Sequence, residues 1–331
     1  MKEHPTEPMY EIVVIGGGAA GQMAALRSAL NHHKTIWFLG DADTSRKGRA
    51  QWVSSVDNIP GFFASKRPIL STTKETVNFL MEKTEFASFI DIHKLTVKRI
   101  EKNPDNFTLF TEDQSFQAKY IILCTGTMDV QPVIQGSIKP ILPFANRGDV
   151  DYCLRCDGHK SSGKDTAVIG HTTGAAWVAI MLHERYAPPT MTLLTHGKKP
   201  EFDDETKHLI HLYNIGIIED EITGIASEEN KSLSGFVFGD RTIRVQKAFV
   251  SLGSIVYNDL AKGLGVELNN RDHIVVNEKY ETSVANFYAA GDLVAGKKKQ
   301  VYTAWDMAVD AADDIDQKIR KQKRLLILKG A

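Results

Sequence analysis

The chain has 331 residues, and its 40 basic and 41 acidic residues leave a formal net charge of −1. This balance excludes the global positive field on which nucleic-acid or membrane-surface binding depends, while the length and the hydrophobic fraction of 42% suffice for two globular domains. A polar N-terminal segment, and the lack of any apolar run of about 18 residues, predict a cytoplasmic protein with neither signal peptide nor membrane span.

The first predicted unit is a βαβ segment with a glycine-rich turn. A strand, a helix and a second strand follow one another at 11–15, 22–31 and 35–39. The turn before the helix has the sequence Gly-Gly-Gly-Ala-Ala-Gly at 16–21. Such a glycine pattern is weak alone, but between a strand and a helix it favours a bound dinucleotide over an empty turn. The acid that binds the ribose is expected after the second strand, where Asp41 is the candidate.

Each glycine of this turn has a separate expected role. Gly16 permits the tight turn, Gly18 lets the backbone approach a diphosphate, and Gly21 lets the helix pack closely on the strand. The diphosphate is then expected at the N-terminus of the helix, beside Ala19 and Ala20.

A pair of cysteines followed by an acid is the strongest chemical signal in the chain. Cys153 and Cys156 can close a disulfide, and Asp157 stands beside them as a potential proton donor. Three cysteines are too few for a disulfide scaffold, so a close pair in a reducing compartment is expected to be catalytic. Cys124 lies in an apolar run and is predicted to be buried. A zinc site would need a second pair with suitable spacing, so no metal is predicted.

A second βαβ unit follows the cysteine pair, with its strand, helix and second strand predicted at 166–169, 176–184 and 191–194. The turn residues that would contact a nucleotide there are Gly170, Thr172, Thr173, Gly174 and Ala175. Thr172 occupies the middle position of the glycine pattern. Its side chain stands where the backbone would approach a phosphate, so the usual contact is expected to be impaired or changed.

The remaining predicted elements are short strands and one long helix. The strands are expected at 95–100, 107–110, 120–123, within 222–250 and at 285–292, and the helix at 302–319 with a solvated basic end at 318–329. The predicted fold is α/β, with two Rossmann-like three-layer dinucleotide-binding domains, the second inserted in the first. The first domain is expected to comprise residues 1–124 and 249–331, and the second residues 125–248.

The ordered motifs resemble the low-molecular-weight thioredoxin reductases, an FAD-dependent flavoprotein family, over nearly the whole chain. The motifs that carry the resemblance are the glycine turn, Val56–Phe62, Cys124–Gly126, Cys153–Gly158 and Ala290–Asp292. The resemblance implies that the glycine turn holds FAD together with Asn58, Thr125, Gly126, Gly291, Asp292, Gln300 and Val301.

The resemblance also implies how the cysteines act. Cys156 is expected to face the flavin, Cys153 to attack the disulfide of the substrate, and Asp157 to move the thiol proton. The implied substrate is a thioredoxin-like protein or a small disulfide, and the implied assembly is a homodimer.

The chain departs from this family at the second nucleotide site. Ordinary members carry a His-Arg-Arg segment that holds the 2′-phosphate of NADPH, whereas Lys198 and Lys199 stand here. Together with Thr172, this predicts that NADPH is not the donor. The chain in this respect resembles branches of the family that do not use pyridine nucleotides, linked either to ferredoxin or to a second flavin. Residues 297–306 resemble the diflavin branch, which predicts a second FAD in the degenerate domain.

Several alternatives stay open at this stage. If the lysines suffice, the protein is an ordinary NADPH-dependent thioredoxin reductase. With the same parts, it is a dithiol oxidase that passes electrons to oxygen, or a redox sensor without turnover. The second domain can also be empty and serve only the dimer or the fold.

Overall fold

The computed structural model describes residues 9–41, 48, 56–62, 69–229 and 231–330, so most of the polar N-terminal segment lies outside the described residues. The chain divides into two compact units. The first is built from Met1–Gly48, Leu70–Met128 and Val256–Ala331, and the second from Arg49–Ile69 and Asp129–Ile255. The chain passes between the units at 48/49, 69/70, 128/129 and 255/256. The last two positions lie a few residues after those expected from the sequence, whereas the first two were not expected.

The described strands, in chain order, are β1 Tyr10–Ile15, β2 Thr35–Phe38, β3 Ile90–His93, β4 Arg99–Lys102, β5 Phe107–Phe110, β6 Ser115–Leu123, β7 Thr127–Asp129, β8 Val150–Asp151, β9 Thr166–Ile169, β10 Met191–Leu194, β11 Gly216–Ile218, β12 Gly224–Ser227, β13 Leu233–Phe238, β14 Arg241–Arg244, β15 Lys247–Val250, β16 Ser254–Val256 and β17 Phe287–Ala289. The described helices are α1 Ala19–Leu30, α2 Ile69–Glu82, α3 Thr84–Ala87, α4 Leu142–Arg147, α5 Leu154–Asp157, α6 Thr173–Tyr186, α7 Asp204–Leu212, α8 Asp259–Gly263 and α9 Val301–Gly330.

The first unit is organised around a seven-stranded sheet. Its strand order is β3-β2-β1-β6-β5-β4, and β17 pairs with β6. The strands β3, β2, β1, β6 and β17 run parallel, whereas β4, β5 and the first half of β6 form an antiparallel meander. The C-terminal halves of the two central strands, β1 and β6, are apolar and buried. This is expected because parallel strands are covered on both faces.

Two helices of the first unit pack against each other through small side chains. Ala24 and Ala25 of α1 and Ala308 of α9 are fully buried in the core of this unit. An ion pair joins the same helices, because Arg27 Nε lies 2.6 Å from Asp313 Oδ1. These contacts hold α1 in place, and with it the N-terminus that follows the glycine turn.

The second unit contains a five-stranded parallel sheet with the order β11-β10-β9-β15-β8, and a three-stranded antiparallel sheet formed by β12, β13 and β14. Alternate residues of the parallel strands enter two separate cores. Val168 and Phe249 join the core that contains α6, and Ala167 and Ala248 join the core that contains Phe236 of the antiparallel sheet.

The structure confirms several predicted elements and corrects others. The strands at 107–110, 166–169 and 191–194 have the predicted bounds. The strand predicted at 95–100 is wrong in its start, since β4 begins at Arg99. The final helix continues to Gly330, and its side chains from 320 onward are exposed, as predicted for a solvated helix end at 318–329. Within the described ranges, no helix is both long and apolar enough to cross a membrane.

Candidate functional site

The first glycine turn is fixed by close backbone contacts at its two ends. Gly16 has φ of 125°, and a Cβ there would lie 2.3 Å from the carbonyl oxygen of Cys124. A Cβ on Gly21 would lie 1.8 Å from the carbonyl oxygen of Gly16. Both positions therefore require glycine for the fold itself, because real side chains do not come this close to backbone.

At position 18, by contrast, no close contact within the protein requires glycine. The backbone of Gly18 is extended, with φ of −83° and ψ of −170°, and no atom lies within 4 Å of the position of a Cβ. Gly18 is also the N-cap of α1, and no side chain caps this helix end. The first turn of α1 thus presents backbone N–H groups and the positive end of the helix dipole beside open space, an arrangement that suits an anion.

Two other predicted segments reach the same helix end. A Cβ on Gly16 would lie 3.2 Å from the backbone nitrogen of Thr125, and a Cβ on Gly291 would lie 3.0 Å from Cβ of Ala20. The Thr125 hydroxyl donates a hydrogen bond of 2.6 Å to the Tyr257 carbonyl oxygen, which fixes the segment that follows β6. The structure therefore brings Cys124–Gly126 and Gly291 to the glycine turn.

Two residues that support the turn were not predicted from the sequence. The Trp37 ring Nε1 donates to the Gly16 carbonyl oxygen at 2.9 Å, and the Thr73 hydroxyl donates to the Gly17 carbonyl oxygen at 2.9 Å. Both bonds join segments far apart in sequence. No local pattern in either segment signals them.

The other predicted flavin residues have different environments. Asp41 follows β2 after Gly40, and its backbone N–H donates to the Thr96 hydroxyl at 3.2 Å. Gln300 and Val301 lie at the start of α9 as expected, but the Gln300 N–H donates to the Lys298 carbonyl oxygen at 3.0 Å. Asn58 belongs to the second unit, so its role beside a flavin stays a prediction. Asp292 directly follows Gly291, and its flavin role also stays a prediction.

Cys153 and Cys156 form a disulfide at the start of α5, with their Cα atoms 5.3 Å apart. Cys153 is the N-cap of this short helix, and its Sγ accepts a hydrogen bond from the Cys156 backbone N–H at 3.1 Å. Cys124 is buried as predicted, and burial raises the pKa of its thiol far above neutral pH. The reactive sulfur chemistry is therefore expected at the pair and not at Cys124.

Asp157 is buried directly after the disulfide and is paired with a lysine. Its side chain is 3% exposed, and Lys160 Nζ lies 2.7 Å from its Oδ1. The same ammonium group lies 3.0 Å from Asp57 Oδ2. Burial alone would lower the pKa of Lys160, but its contacts with Asp157 and Asp57 outweigh this, and the pKa is raised.

A second buried ion pair lies just before the disulfide. Lys247 Nζ bonds to the Asp151 carboxylate and, at 2.7 Å, to the Gly148 carbonyl oxygen. Both side chains are buried. Burial raises the pKa of Asp151 to about 6, although the Lys247 charge opposes the shift, and burial lowers the pKa of Lys247.

The second glycine turn is built differently from the first. A Cβ on Gly170 would lie 2.5 Å from the Ser251 carbonyl oxygen, so this glycine serves close packing. Thr172 is the N-cap of α6 without a side-chain cap bond, and it forms a β-bridge with Glu201. The Thr173 hydroxyl donates to the Glu201 carbonyl oxygen at 3.1 Å and accepts from the Asp203 N–H at 2.9 Å. The segment that contains Glu201 and Asp203 thus pairs with the start of α6.

The remaining residues of this second site do not restore a phosphate clamp. Lys198 and Lys199 are exposed. His196 has both ring nitrogens bonded to backbone, with Nε2 2.9 Å from the Val133 carbonyl oxygen and Nδ1 3.0 Å from the Ile222 N–H. Gly174 and Ala175 lie in the first turn of α6, where Ala175 is fully buried. Among the described residues, no three His, Cys, Asp or Glu side chains are grouped to hold a metal ion.

Comparison with known protein families decides the class. The family model described as pyridine nucleotide-disulphide oxidoreductase matches residues 10–311. The chain belongs to this family. The predicted resemblance to low-molecular-weight thioredoxin reductases is thereby confirmed at the level of this family.

Individual relatives are distant. A thioredoxin reductase of Aquifex aeolicus is 26% identical over 97% of this chain and 96% of its own length. An NADH dehydrogenase of Bacillus subtilis is 28% identical over 92% of this chain but only 57% of its own length, so the chain spans little more than half of that relative. The crystal structure of a thioredoxin reductase from Streptococcus pyogenes has a TM-score of 0.82 at 19% identity and covers 96% of this chain and 100% of its own. This likeness confirms the predicted fold with two dinucleotide-binding domains.

Proposed function

We propose that the protein passes two electrons between bound FAD and a dithiol or disulfide substrate through Cys153 and Cys156, and that NADPH is not its electron donor. The observation that carries the proposal is the disulfide at the start of α5, with the buried Asp157 carboxylate directly after it. Burying a carboxylate beside an inert pair of thiols would cost desolvation free energy without any functional gain. Family membership and this placement support the proposed role of the pair.

The residues of the first glycine turn fit FAD. Open space beside Gly18 and the uncapped N-terminus of α1 suit a diphosphate, and Gly16, Ala19, Ala20 and Gly21 form its backbone support. FAD, when bound, supplies the two-electron carrier that a disulfide needs to exchange electrons with other donors and acceptors. We assign Asp41, Asn58, Thr125, Gly126, Gly291, Asp292, Gln300 and Val301 to the rest of the cofactor site on the family resemblance.

The cysteines perform the thiol chemistry. Cys153 is proposed to attack the disulfide of the substrate, and Cys156 to complete the exchange and to communicate with the flavin. Asp157 takes and returns the thiol proton. The match to a thioredoxin reductase supports a thioredoxin-like protein as substrate, with a small disulfide as the alternative. A homodimer, and ferredoxin as donor, follow from the family resemblance alone.

The second unit supports the proposal that NADPH is not used. The backbone bridge between Thr172 and Glu201 lies in the turn that would approach a diphosphate. Lys198 and Lys199 cannot make the bidentate contacts that paired arginines make with a phosphate. A second FAD, the predicted occupant, would meet the same bridge at its own diphosphate. The geometry therefore favours the alternative in which this unit holds no nucleotide.

One alternative has a specific observation in its favour. NADH has no 2′-phosphate, so the missing arginines do not count against it, and a matched relative bears the name NADH dehydrogenase. The bridge between Thr172 and Glu201 would still have to open for NADH.

The proposal is tested with three matched cysteine variants. The purified flavoprotein is treated anaerobically with a dithiol, and loss of the visible flavin absorbance is followed. Cys153→Ser and Cys156→Ser should each stop reduction of the flavin by the dithiol, whereas Cys124→Ser should leave it unchanged because that thiol is buried outside the pair. Reduction at the wild-type rate in either of the first two variants would show that the pair does not carry the electrons.

A further inference from the structure

Lys160 contacts two carboxylates beside the redox pair, and no part of the proposed function uses it. Its ammonium group lies 2.7 Å from Asp157 and 3.0 Å from Asp57, and all three residues belong to the second unit. The Lys160 side chain is 23% exposed, whereas the Asp157 side chain is 3% exposed. Asp157 is thus shielded from water and in direct contact with a cation.

We propose that Lys160 is a positioning residue that keeps the Asp157 carboxylate ionised and oriented for proton exchange with Cys153 and Cys156. This inference rests on the proposed function, in which Asp157 takes the thiol proton. A carboxylate buried without a partner binds a proton, and an opposite charge within about 4–6 Å keeps it ionised. A protonated Asp157 cannot accept a proton from a thiol.

The position of the lysine is fixed from two sides. The spacing of three residues between Asp157 and Lys160 lets the two side chains meet across the end of α5 and the 3₁₀ turn Gly158–Ser161. A free lysine would extend its ammonium group into water. Asp57 contacts that group from a separate segment, and it holds the lysine over Asp157.

The charges around this contact explain why one lysine matters. Asp151 interacts with both Asp157 and Lys160, and Lys247 bonds to Asp151. When every group is ionised, the carboxylates of Asp57, Asp151 and Asp157 face the ammonium groups of Lys160 and Lys247. His159 also lies 3.7 Å from Asp57, but it is 54% exposed. Without Lys160, three carboxylates would face one lysine, and the buried Asp157 would lose the cation that contacts it.

The test measures thiol reactivity of the whole flavoprotein against pH. The protein is reduced with a phosphine, freed of it, and mixed anaerobically with the disulfide dithiobis-nitrobenzoate at about pH 5 to 9. One protein thiol breaks the reagent's S–S bond, forms a mixed disulfide and releases a thionitrobenzoate. The second thiol closes Cys153–Cys156 and releases another, and the two thiol protons pass through Asp157 to solvent.

Lys160→Met should move the midpoint of the rate profile to higher pH by about one unit or more, and lower the rate below that midpoint about tenfold. Lys160→Arg should restore the wild-type profile. The matched control is Lys207→Met, since Lys207 also pairs at 3.0 Å with an aspartate three residues before it but is 59% exposed. That control should leave the profile unchanged. If Lys160→Met does not fold, Lys160→Gln should show the same shift.

A double-mutant comparison tests whether Lys160 acts through Asp157. In an Asp157→Asn protein, which has its own altered profile, Lys160→Met should add no further shift. An unshifted profile in folded Lys160→Met, or an equal shift in the Asp157→Asn background, would overturn the inference and leave the proposed function intact. Failure of the reduced wild-type protein to release thionitrobenzoate would instead remove the proposed function, and this inference with it.

Discussion

Replacing Gly18 with valine separates the needs of the cofactor from the needs of the fold. The backbone at Gly18 is extended, and no protein atom lies within 4 Å of a Cβ there, so the polypeptide itself accepts a side chain. We expect the free energy of unfolding of the flavin-free protein to change by no more than about 1 kcal/mol. The valine would instead occupy the space in front of α1 that a diphosphate needs.

The expected loss of FAD affinity follows from the helix end. If the side chain prevents two backbone N–H groups from bonding the diphosphate, at about 1.5–3 kcal/mol for each charge-assisted bond, about 3–6 kcal/mol of binding is lost. That corresponds to an affinity about 10²- to 10⁴-fold weaker. A hundredfold loss also removes about 2.7 kcal/mol from the stability that excess FAD gives the folded protein.

The assay compares flavin content with stability in two glycine variants. FAD bound per protomer and the urea-induced unfolding of the flavin-free protein are measured for Gly18→Val and Gly21→Ala. Gly21→Ala should fail to fold stably even without flavin, because its Cβ would lie 1.8 Å from the Gly16 carbonyl oxygen. Full flavin occupancy with unchanged affinity in Gly18→Val would refute the assignment of this turn to FAD.

Two further predictions concern buried charge. Lys247→Met should destabilise the protein by about 3–5 kcal/mol, because Asp151 is left buried without its partner, and the loss should be larger at pH 8 than at pH 5. The double variant Lys247→Met/Asp151→Leu should regain most of it, and equal losses at both pH values would contradict the argument. The pKa of Glu11 is lowered to about 2, chiefly by its hydrogen bond with His33 against opposing burial. Because the unfolded chain binds the proton first, this stabilisation is present above about pH 4.5 and is lost as the pH falls towards 2. Urea unfolding of Glu11→Gln should therefore show a weaker dependence on acid than the wild type, and an unchanged dependence would show that Glu11 contributes nothing.

Local patterns predicted the parts of the fold that local chemistry determines. The glycine turn is recognisable because Gly16 and Gly21 are required by backbone contacts within one βαβ unit. The strands at 166–169 and 191–194 were predicted with their observed bounds, since continuous apolar runs are typical of covered parallel strands. The cysteine pair was recognisable for the same reason, because its members are three residues apart.

Contacts between distant segments were not predictable in this way. The hydroxyl that supports the glycine turn lies on α2, a helix with many polar residues that the sequence did not predict. The pairing of Lys160 with Asp57 requires two segments that only the tertiary fold brings together. The bridge between Thr172 and Glu201 is of the same kind, because the sequence showed a missing glycine but not the chain segment that pairs there.

The central claim is that FAD in this protein exchanges electrons with a dithiol pair and not with a pyridine nucleotide. Its most direct test is the visible spectrum of the purified protein under anaerobic conditions, first with millimolar NADPH or NADH and then with a dithiol, together with the number of FAD molecules per protomer. We expect no reduction of the flavin by either nucleotide and full reduction by the dithiol. Rapid reduction by micromolar NADPH or NADH, at one FAD per protomer, would contradict the account and restore an ordinary nucleotide-dependent reductase.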